Sequence, residues 1–417
     1  MKKKYEHYKN TNIEWLGELP EHWLVRPLRY AASIQNGSDF KAFEVEEGGY
    51  PVLGSGGEFA RISKFIYDKP SVLLGRKGTI DKPIYCELPF WTVDTLFYTK
   101  IAEDTYPKFF YWFCTLIPFE YFQYGSAVPS MTQSDFYNIQ MSMPPFEEQV
   151  IIAKFLDYET TKIDNLINEQ KHLIELLKEK RQALISHAVT KGLNPNIPME
   201  DSGVEWLGEV PLHWKIKKIK WLFKIKKHIA GTLGYDILSI TQQGIRIKDI
   251  ESGDGQLSMD YSKYQIVQPG DFAMNHMDLL TGYVDIATTL GVTSPDYRVI
   301  SLKDRDSSYD RYYLYLFQMG YKNKIFFAYG QGSSQLGRWR FPTEQFNDFI
   351  FPVPPYEEQQ AIASFLIQET SKVDKLIIES ERSIELLKER RTALISAVVT
   401  GKLDVREFAE NFNEEAA

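Results

Sequence analysis

Two tetrads with paired prolines come closest to a catalytic motif in this sequence. They read Met143-Pro144-Pro145-Phe146 and Val353-Pro354-Pro355-Tyr356. Methyltransferases that act on the amino group of adenine carry Asp or Asn before Pro-Pro-Tyr/Phe, and this carboxylate or amide holds the target amino group. The side chains of Met143 and Val353 cannot accept that hydrogen bond, and no glycine-rich loop after a strand offers a place for a methyl donor. We therefore predict that both tetrads start helices and that neither is catalytic.

Other catalytic and metal-binding patterns are absent from the sequence as well. Lys77-Gly78-Thr79 has the wrong order for a phosphate-binding P-loop, and Gly401-Lys402-Leu403 lacks the Ser or Thr that such a loop needs. The seven histidines include no His-Glu-x-x-His pair. The two cysteines, Cys86 and Cys114, are too few for a disulfide scaffold or a four-cysteine zinc site. We expect a chain that binds rather than reacts, with no cofactor or metal of its own.

Basic and polar segments are the remaining candidates for a functional surface. Residues 215–227 place seven lysines in thirteen positions, with Trp221 and Phe223 between them, which is typical of a surface that contacts phosphate. A solvated strand face is the alternative. Three glycine-containing loops offer further polar side chains: residues 75–79 present Arg and Lys, and residues 242–246 and 330–340 present Gln and Arg. Gln and Arg pair with adenine and guanine through two hydrogen bonds. From these segments we predict the following DNA-binding residues: Arg76, Lys77, Thr79, Lys217, Lys218, Lys220, Gln242, Gln243, Arg246, Ser333, Ser334, Gln335, Arg338 and Arg340.

Length, composition and charge limit the class of protein. The 417 residues, 43% hydrophobic and 25% charged, are enough for two or three folded domains. The net charge is −8, yet residues 215–352 carry 18 Lys or Arg against 14 Asp or Glu, so an acidic chain can still present a basic face. The basic N-terminus runs into polar residues without an apolar signal region, and no stretch reaches the length of a membrane span. We expect a cytoplasmic protein without membrane contact.

An internal repeat organises the elements that must position these side chains. Residues 14–20 (Glu-Trp-Leu-Gly-Glu-Leu-Pro) return as residues 205–211 (Glu-Trp-Leu-Gly-Glu-Val-Pro) at an offset of 191, and His-Trp follows each copy. These short repeats, residues 14–23 and 205–214, are hereafter the first and the second box. A longer match relates residues 143–190 to residues 353–400 at an offset of 210, with 29 of 48 positions identical. The segments between these matches show little resemblance to each other. The sequence therefore contains the same frame twice, with a different inserted domain in each copy.

The longer repeat predicts two helical arms. In each copy the prolines stop the preceding element, and Glu147-Glu148 or Glu357-Glu358 places negative charge in the first turn, where the helix dipole favours it. Apolar residues, Leu177 and Leu387 among them, recur at steps of three, four and seven over about five heptads, which is typical of a coiled-coil seam. We expect the two seams to pair with each other antiparallel, with a variable domain at each end. Two unrelated surface helices are the alternative.

The variable segments predict mixed α/β domains, each with a curved sheet. Their periodicity shifts towards two, and aromatic side chains are expected to fill the cores. Strands are predicted at residues 71–74, 271–274, 282–286 and 297–300, and aromatic-rich helices at residues 107–123 and 309–321. The predicted fold class is α/β (α+β), with two such domains, a pair of long antiparallel coiled-coil helices and a pseudo-twofold internal repeat. The predicted boundaries are 1–142 for the first box and variable domain, 143–192 for the first arm, 193–352 for the second box and variable domain, 353–403 for the second arm, and 404–417 for an acidic tail.

Taken together, these motifs resemble those of the specificity subunit of a type I restriction and modification system. The resemblance rests on Glu-Trp-Leu-Gly-Glu-x-Pro near the N-terminus, Pro-Pro-x-Glu-Glu-Gln at the start of each arm, and Glu-Leu-Leu-Lys-Glu-Lys/Arg-Arg-x-Ala-Leu-Ile-Ser near its end. It covers nearly the whole chain. It implies that residues 24–142 and 215–352 are two target recognition domains, each reading one half of an asymmetric, bipartite site in double-stranded DNA. The arms would set the spacer and dock two modification methyltransferase subunits.

The same resemblance implies where the chemistry takes place. S-adenosylmethionine, ATP and Mg would be bound by partner subunits, namely the methyltransferases and the restriction/translocase subunits. The chain itself would not be an enzyme. A related specificity subunit serves some restriction enzymes outside type I, and the motifs do not separate the two. The alternative from a different class is a coiled-coil scaffold whose end domains bind protein or a small ligand.

Overall fold

The computed structural model describes residues 4–121, 129–249, 261–332 and 339–408. Contacts divide the chain into two units, hereafter unit 1 (residues 1–171 with 382–417) and unit 2 (residues 172–381). Each unit contains one variable segment, one short box and a part of each long helix. The two units are described separately.

The strands are short and numerous in both units. Those of unit 1 are β1 (Tyr8–Asn10), β2 (Glu18–Pro20), β3 (Leu24–Pro27), β4 (Ala32–Asn36), β5 (Glu44–Val45), β6 (Tyr50–Gly54), β7 (Gly57–Ile62), β8 (Ser71–Gly75), β9 (Ile84–Cys86), β10 (Trp91–Thr92), β11 (Leu96–Ile101) and β12 (Gln140–Met143). Those of unit 2 are β13 (Met199–Asp201), β14 (Glu209–Pro211), β15 (Lys215–Lys218), β16 (Phe223–Lys226), β17 (Leu238–Thr241), β18 (Gly244–Ile247), β19 (Gln265–Val267), β20 (Phe272–Met274), β21 (Val284–Ile286), β22 (Gly291–Thr293), β23 (Arg298–Leu302) and β24 (Ile350–Val353).

The helices differ greatly in length. They are α1 (Pro107–Cys114), α2 (Gln133–Asn138), α3 (Phe146–Lys191), α4 (Ile219–Leu222), α5 (Asp310–Lys322), α6 (Ile325–Ala328), α7 (Thr343–Asp348) and α8 (Tyr356–Val399). The two arms, α3 and α8, start directly after the paired prolines, as predicted, and a glycine with positive φ follows the end of each, Gly192 at 79° and Gly401 at 66°. In the part of the chain that the structure describes, no helix combines the length and apolar character needed to cross a bilayer.

A four-stranded antiparallel sheet recurs in the two units. Its strand order is β4-β11-β8-β9 in unit 1 and β16-β23-β20-β21 in unit 2. Two ribbons recur as well, β1-β2 as β13-β14 and β3-β12 as β15-β24. The additional strands differ: unit 1 has a second four-stranded sheet, β10-β6-β7-β5, whereas the described residues of unit 2 form the ribbons β17-β18 and β19-β22. The variable segments therefore share a central topology that their sequences do not reveal.

An aromatic helix packs into the core of each unit, as expected. Phe109, Phe110 and Phe113 of α1 are fully buried, as are Tyr312 and Phe317 of α5. The prediction for the first of these helices was too long, because α1 ends at Cys114 rather than continuing. Pro118 explains the early end, since a proline disfavours helical geometry in the residue before it and offers no amide hydrogen.

The arms pair antiparallel within each unit, which confirms the predicted seam. In unit 1, Asp164 of α3 accepts hydrogen bonds from Arg391 of α8 at 2.9 and 3.1 Å. Unit 2 repeats the pair at an offset of 210, as Asp374 and Arg181 at 2.8 and 3.4 Å. Buried apolar residues near the start of one arm pack in the same core as residues near the end of the other: Ile152 and Leu156 with Ile395 and Val398 in unit 1, and Ile362 and Leu366 with Ile185 and Ala188 in unit 2. These half-exposed ion pairs contribute at most about 1 kcal/mol each, so burial holds the seam while the pairs fix its register.

The repeated Glu-Gln at the start of each arm connects the arm to the rest of its unit. The Glu148 carboxylate contacts the His22 imidazole of the first box at 2.6 Å, and Glu358 contacts His213 of the second box at 2.7 Å. The glutamine that directly follows each glutamate, Gln149 or Gln359, is buried and accepts a hydrogen bond from the loop before α1 or α5. Box, arm and variable domain are thus joined at the first turn of the helix.

Placing a charge in the seam is expected to unfold the arms, whereas the same charge one residue away is tolerated. Leu177 is 9% exposed and Leu176 is 48% exposed. Leu177→Asp should lower the free energy of unfolding by roughly 3 kcal/mol or more, because it buries an unpaired carboxylate. Leu176→Asp should change it by about 0.5 kcal/mol or less. Urea unfolding of both variants measures the difference, and equal effects would contradict the seam.

Candidate nucleic-acid interface

The lysine-rich segment of unit 2 is partly neutralised by its own domain. Nζ of Lys218 and of Lys220 lie 3.2 and 2.8 Å from the same Oδ1 of Asp348, which bridges them. Their hydrogen bonds, that of Lys220 first, lower the pKa of the Asp348 carboxyl. Lys226 is held by Asp271, a buried carboxylate 2.7 Å away. Lys217 is exposed on β15, and the described residues give it no ion pair. The segment therefore offers fewer free cations than its composition indicates.

The first predicted loop, residues 75–79, starts at the last residue of β8, an inner strand of the central sheet of unit 1. Arg76 is half-buried, with its guanidinium 5.7 Å from the centre of the Phe97 ring. Lys77 is exposed and lies opposite Ser130 in an isolated β-bridge. Thr79 is half-buried, and its carbonyl oxygen approaches Gly75 so closely that a Cβ there would lie 2.4 Å from it. The turn thus needs glycine to present its two cations.

The second predicted loop is the hairpin between β17 and β18. Gln242 is exposed; its Nε2 donates to the carbonyl of Thr281 at 3.3 Å, and its Oε1 accepts from Lys322 at 3.3 Å. Gln243 and Arg246 are exposed too, and no hydrogen bond of the Arg246 side chain is recorded within the described residues. Three of the polar side chains predicted here therefore lie on one hairpin.

The third predicted loop is only partly described. Ser333, Ser334, Gln335 and Arg338 lie outside the described residues. Arg340 is described and exposed, and its backbone pairs with that of Gln331 through two hydrogen bonds of 2.8 and 3.0 Å.

The loop of unit 1 and the third loop of unit 2 belong to one recurring site. In unit 1 the amide of Met131 donates to the carbonyl of Arg76 at 3.1 Å; in unit 2 the amide of Phe341, 210 residues on, donates to that of His276 at 2.8 Å. A second bond repeats in the same way, since Gly78 donates to the carbonyl of residue 129 and Leu279 donates to that of residue 339. In each unit the loop after the third strand of the central sheet therefore lies against the segment before a short helix.

Sequence reasoning found a different half of this site in each unit. It selected the loop with Arg76 in unit 1 and the segment with Arg340 in unit 2. It missed His276, the structural counterpart of Arg76, and Arg298, which is only 4% exposed. Arg298 occupies the place of Phe97, because Leu74 pairs with Phe97 and Met274 with Arg298. No sequence signal pointed to Arg298, which sits in an ordinary apolar strand pattern.

The electrostatics of this site in unit 2 are unusual. Burial, followed by the nearby charges of Arg298 and Arg340, lowers the pKa of His276 to about 3, so the imidazole is neutral at physiological pH. Burial lowers the pKa of Arg298 to about 10, and the guanidinium stays charged. Arg298 donates to the carbonyl of Phe341 at 3.1 Å and to Oγ1 of Thr343 at 3.2 Å.

Each arm also carries exposed leucines at equivalent positions. Leu166 and Leu376 are 44% and 48% exposed, and Leu176 and Leu386 are 48% and 55% exposed. Both pairs are related by the offset of 210. Such apolar positions outside the buried seam are candidates for a partner surface that occurs twice.

Neither a metal cluster nor a reactive thiol stands out among the described residues. No group of three or more His, Cys, Asp or Glu is placed to hold a metal ion within those ranges. Burial raises the pKa of Cys86 to about 12 and that of the fully buried Cys114 well above its usual value, which makes thiolate chemistry unfavourable at both.

Comparison with known proteins agrees with this arrangement. The profile of the type I restriction modification DNA specificity domain matches twice, at residues 20–176 and 211–388. The MjaVIII specificity subunit of a type I restriction enzyme from Methanocaldococcus jannaschii is 24% identical over 299 residues, which are 68% of this chain and 66% of that protein. The EcoBI specificity subunit from Escherichia coli is 21% identical over 438 aligned positions, 96% of this chain and 90% of that protein.

Solved structures share the fold. One, from work on complex assembly and conformational transition of the type I restriction-modification system, aligns with a TM-score of 0.67 at 14% identity and covers 92% of this chain and 99% of its own. The HsdS subunit from Thermoanaerobacter tengcongensis aligns with a TM-score of 0.53 at 14% identity, over 92% and 98%.

Removing the carboxylate that bridges two lysines is expected to strengthen binding to duplex DNA. Asp348→Asn frees Lys218 and Lys220, so the slope of log Kd against log salt should steepen by up to about 0.9 for each lysine that gains a phosphate contact. Lys217→Gln should change the slope in the opposite direction by about one unit. Fluorescence anisotropy at several salt concentrations measures both variants. Weaker binding by Asp348→Asn would indicate that these lysines serve only the fold.

Proposed function

The chain belongs to the family of type I restriction modification DNA specificity domains, and from this premise we propose that it is the DNA specificity subunit of a type I restriction-modification complex. Its two variable domains are the target recognition domains. Each reads one half of an asymmetric, bipartite site in double-stranded DNA, and the helical arms set the spacer between the halves.

One observation supports this function above the others. The same backbone frame recurs in both units, yet it presents Arg76 in one and His276 with Arg298 in the other. A reader of two different half-sites needs this combination, because a constant backbone frame positions both domains on the duplex while the side chains that the frame carries differ between them. A scaffold that binds the same partner at both ends would have no use for such a difference.

Catalysis is assigned to partner subunits. We propose that two methyltransferase subunits bind S-adenosylmethionine and transfer the methyl group, and that restriction/translocase subunits use ATP and Mg. The chain itself contributes recognition and no catalytic group, in keeping with Met143 and Val353 at the positions where an adenine methyltransferase needs Asp or Asn.

Methylome mapping is expected to reveal a bipartite target. The chain is co-expressed with a type I modification methyltransferase, and methylated adenines are mapped on genomic DNA. The methyltransferase or the chain alone is the control and should give no sequence-specific methylation. Exchange of residues 24–142 for the same segment of a relative should change one half of the methylated motif. If both halves or neither changed, the modular function would be wrong. Methylation by the purified chain alone would contradict its non-catalytic role.

The two arms are expected to dock one methyltransferase each through their exposed leucines. Leu176→Asp and Leu386→Asp each place a charge on an exposed position of an arm and leave the buried seam unchanged. Each single variant should lose one bound methyltransferase and the double variant both, so that native mass spectrometry reports two, one and no copies. Lys178→Glu, an exposed position on a different face of the same helix, is the control for a change of charge on α3. Retention of two copies by the double variant would place docking elsewhere.

A further inference from the structure

A cleft of about 570 Å³ opens beside the His276 loop of unit 2. His276, Arg340 and Thr343 line it, with Gln331 and Phe341 in the same wall. None of the described residues that line the cleft is Asp or Glu. A cleft with cationic and neutral donors but no carboxylate has the polarity of an anion site.

Behind this wall lies the guanidinium of Arg298, whose charge no carboxylate among the described residues neutralises. Arg298 is 4% exposed, and the described residues provide no ion pair for it. Its Nη2 donates to Phe341 and Thr343, whereas its buried Nη1 has no hydrogen-bond partner among the described residues. The guanidinium also lies 4.3 Å from the centre of the Phe346 ring, which attracts the cation but does not neutralise it. A buried charge without compensation is costly, and an anion held in the cleft would offset that cost.

The histidine at the rim fits an anion as a neutral donor. With its pKa lowered to about 3, His276 brings no charge of its own at pH 7 and retains one N–H. Its Nδ1 is buried, and the part of the chain that the structure describes gives it no hydrogen-bond partner. The positive potential of the cleft therefore comes from Arg340 at the surface and Arg298 beneath it. Such a potential attracts an anion whatever the base sequence, which favours phosphate over a base edge.

Resting on the function proposed above, we infer that this cleft binds one backbone phosphate of the DNA at the half-site of the second recognition domain. Arg340 contacts the phosphate, and Arg298 is the buried charge that strengthens its field. The site positions the second domain on the duplex and does not read a base.

Unit 1 supplies the matched variant for testing Arg298. At the equivalent place it has Phe97, whose ring lies 6.1 Å from that of Phe136, the counterpart of Phe346. Arg298→Phe therefore introduces a side chain that the other copy of the same frame already accommodates. Because the change removes an uncompensated buried charge, the thermal unfolding midpoint should stay the same or rise. The affinity for DNA should fall all the same.

The decisive measurement is the salt dependence of duplex binding by the full chain in its methyltransferase complex. Arg340→Gln should lower the slope of log Kd against log salt by about 0.9, the value for one lost phosphate, whereas Arg340→Lys keeps the charge and should leave the slope unchanged. Two duplexes are compared, one with the intact target motif and one with a mutated second half-site. Arg340→Gln should lose affinity by the same factor for both duplexes, and so should Arg298→Phe.

Two results would overturn the phosphate site. An unchanged slope in Arg340→Gln would show that no phosphate contact was lost, and a loss confined to the intact motif would show that the cleft reads a base. A lower unfolding midpoint with normal DNA binding in Arg298→Phe would make Arg298 a purely structural residue. The proposed function is tested separately, by whether the wild-type complex prefers the intact motif. The phosphate site is tested by the difference in salt slope between the two Arg340 variants, which can be measured on any duplex that the complex binds.

Discussion

A buried glutamine in the first turn of each arm ties the parts of a unit together. Gln149 accepts a hydrogen bond from the amide of Tyr106 at 2.8 Å and donates to the carbonyls of Asp104 and Pro144. Gln359 makes the same three bonds, to backbone groups of Tyr309, Ser307 and Pro354. Since all three of these partners are main-chain atoms, the clamp tolerates almost any side chain in the loop it holds. This explains how one frame carries two domains whose sequences have diverged.

Because the clamp and the central sheet recur, equivalent positions in the two units can be compared directly. In unit 1 the cation of the loop, Arg76, lies against the ring of Phe97; in unit 2 the cation has moved into the strand, as Arg298, and the loop carries a neutral histidine. Each unit thus has a guanidinium near the same place in the frame, but the one in unit 2 is more deeply buried and has different neighbours. The frame fixes where a side chain is presented, and substitution at a few positions alters what it can bind.

Ion pairs within the protein, and not only the numbers of acidic and basic residues, decide how much charge each surface presents. Carboxylates such as Asp348 and Asp271 take up part of the positive charge of the lysine-rich segment, so the net charge of −8 and the local excess of lysine are both poor guides to the field outside the protein. The arms follow the same rule: Asp164 with Arg391 and Asp374 with Arg181 satisfy polar side chains at the edge of an apolar seam. Lys217 and Arg340 are exposed, and among the described residues neither has an ion pair within 4 Å, so both are available to an anionic partner.

The sequence by itself determined the repeat, the start and end of both arms, the pairing seam and the family, because each of these is written in local spacing: paired prolines, heptad steps and exact duplication at fixed offsets. It also located β8, β20, β21, β23 and α5, whose apolar patterns are short and continuous. It could not show that the loop of Arg76 corresponds to that of His276, or that Arg298 lies behind a cleft. These relations depend on the register between strands that are distant in the chain, such as Met274 against Arg298, and on burial, which sets the charge state of His276. Only the tertiary structure decides them, since they arise from contacts between segments whose sequences carry no trace of each other.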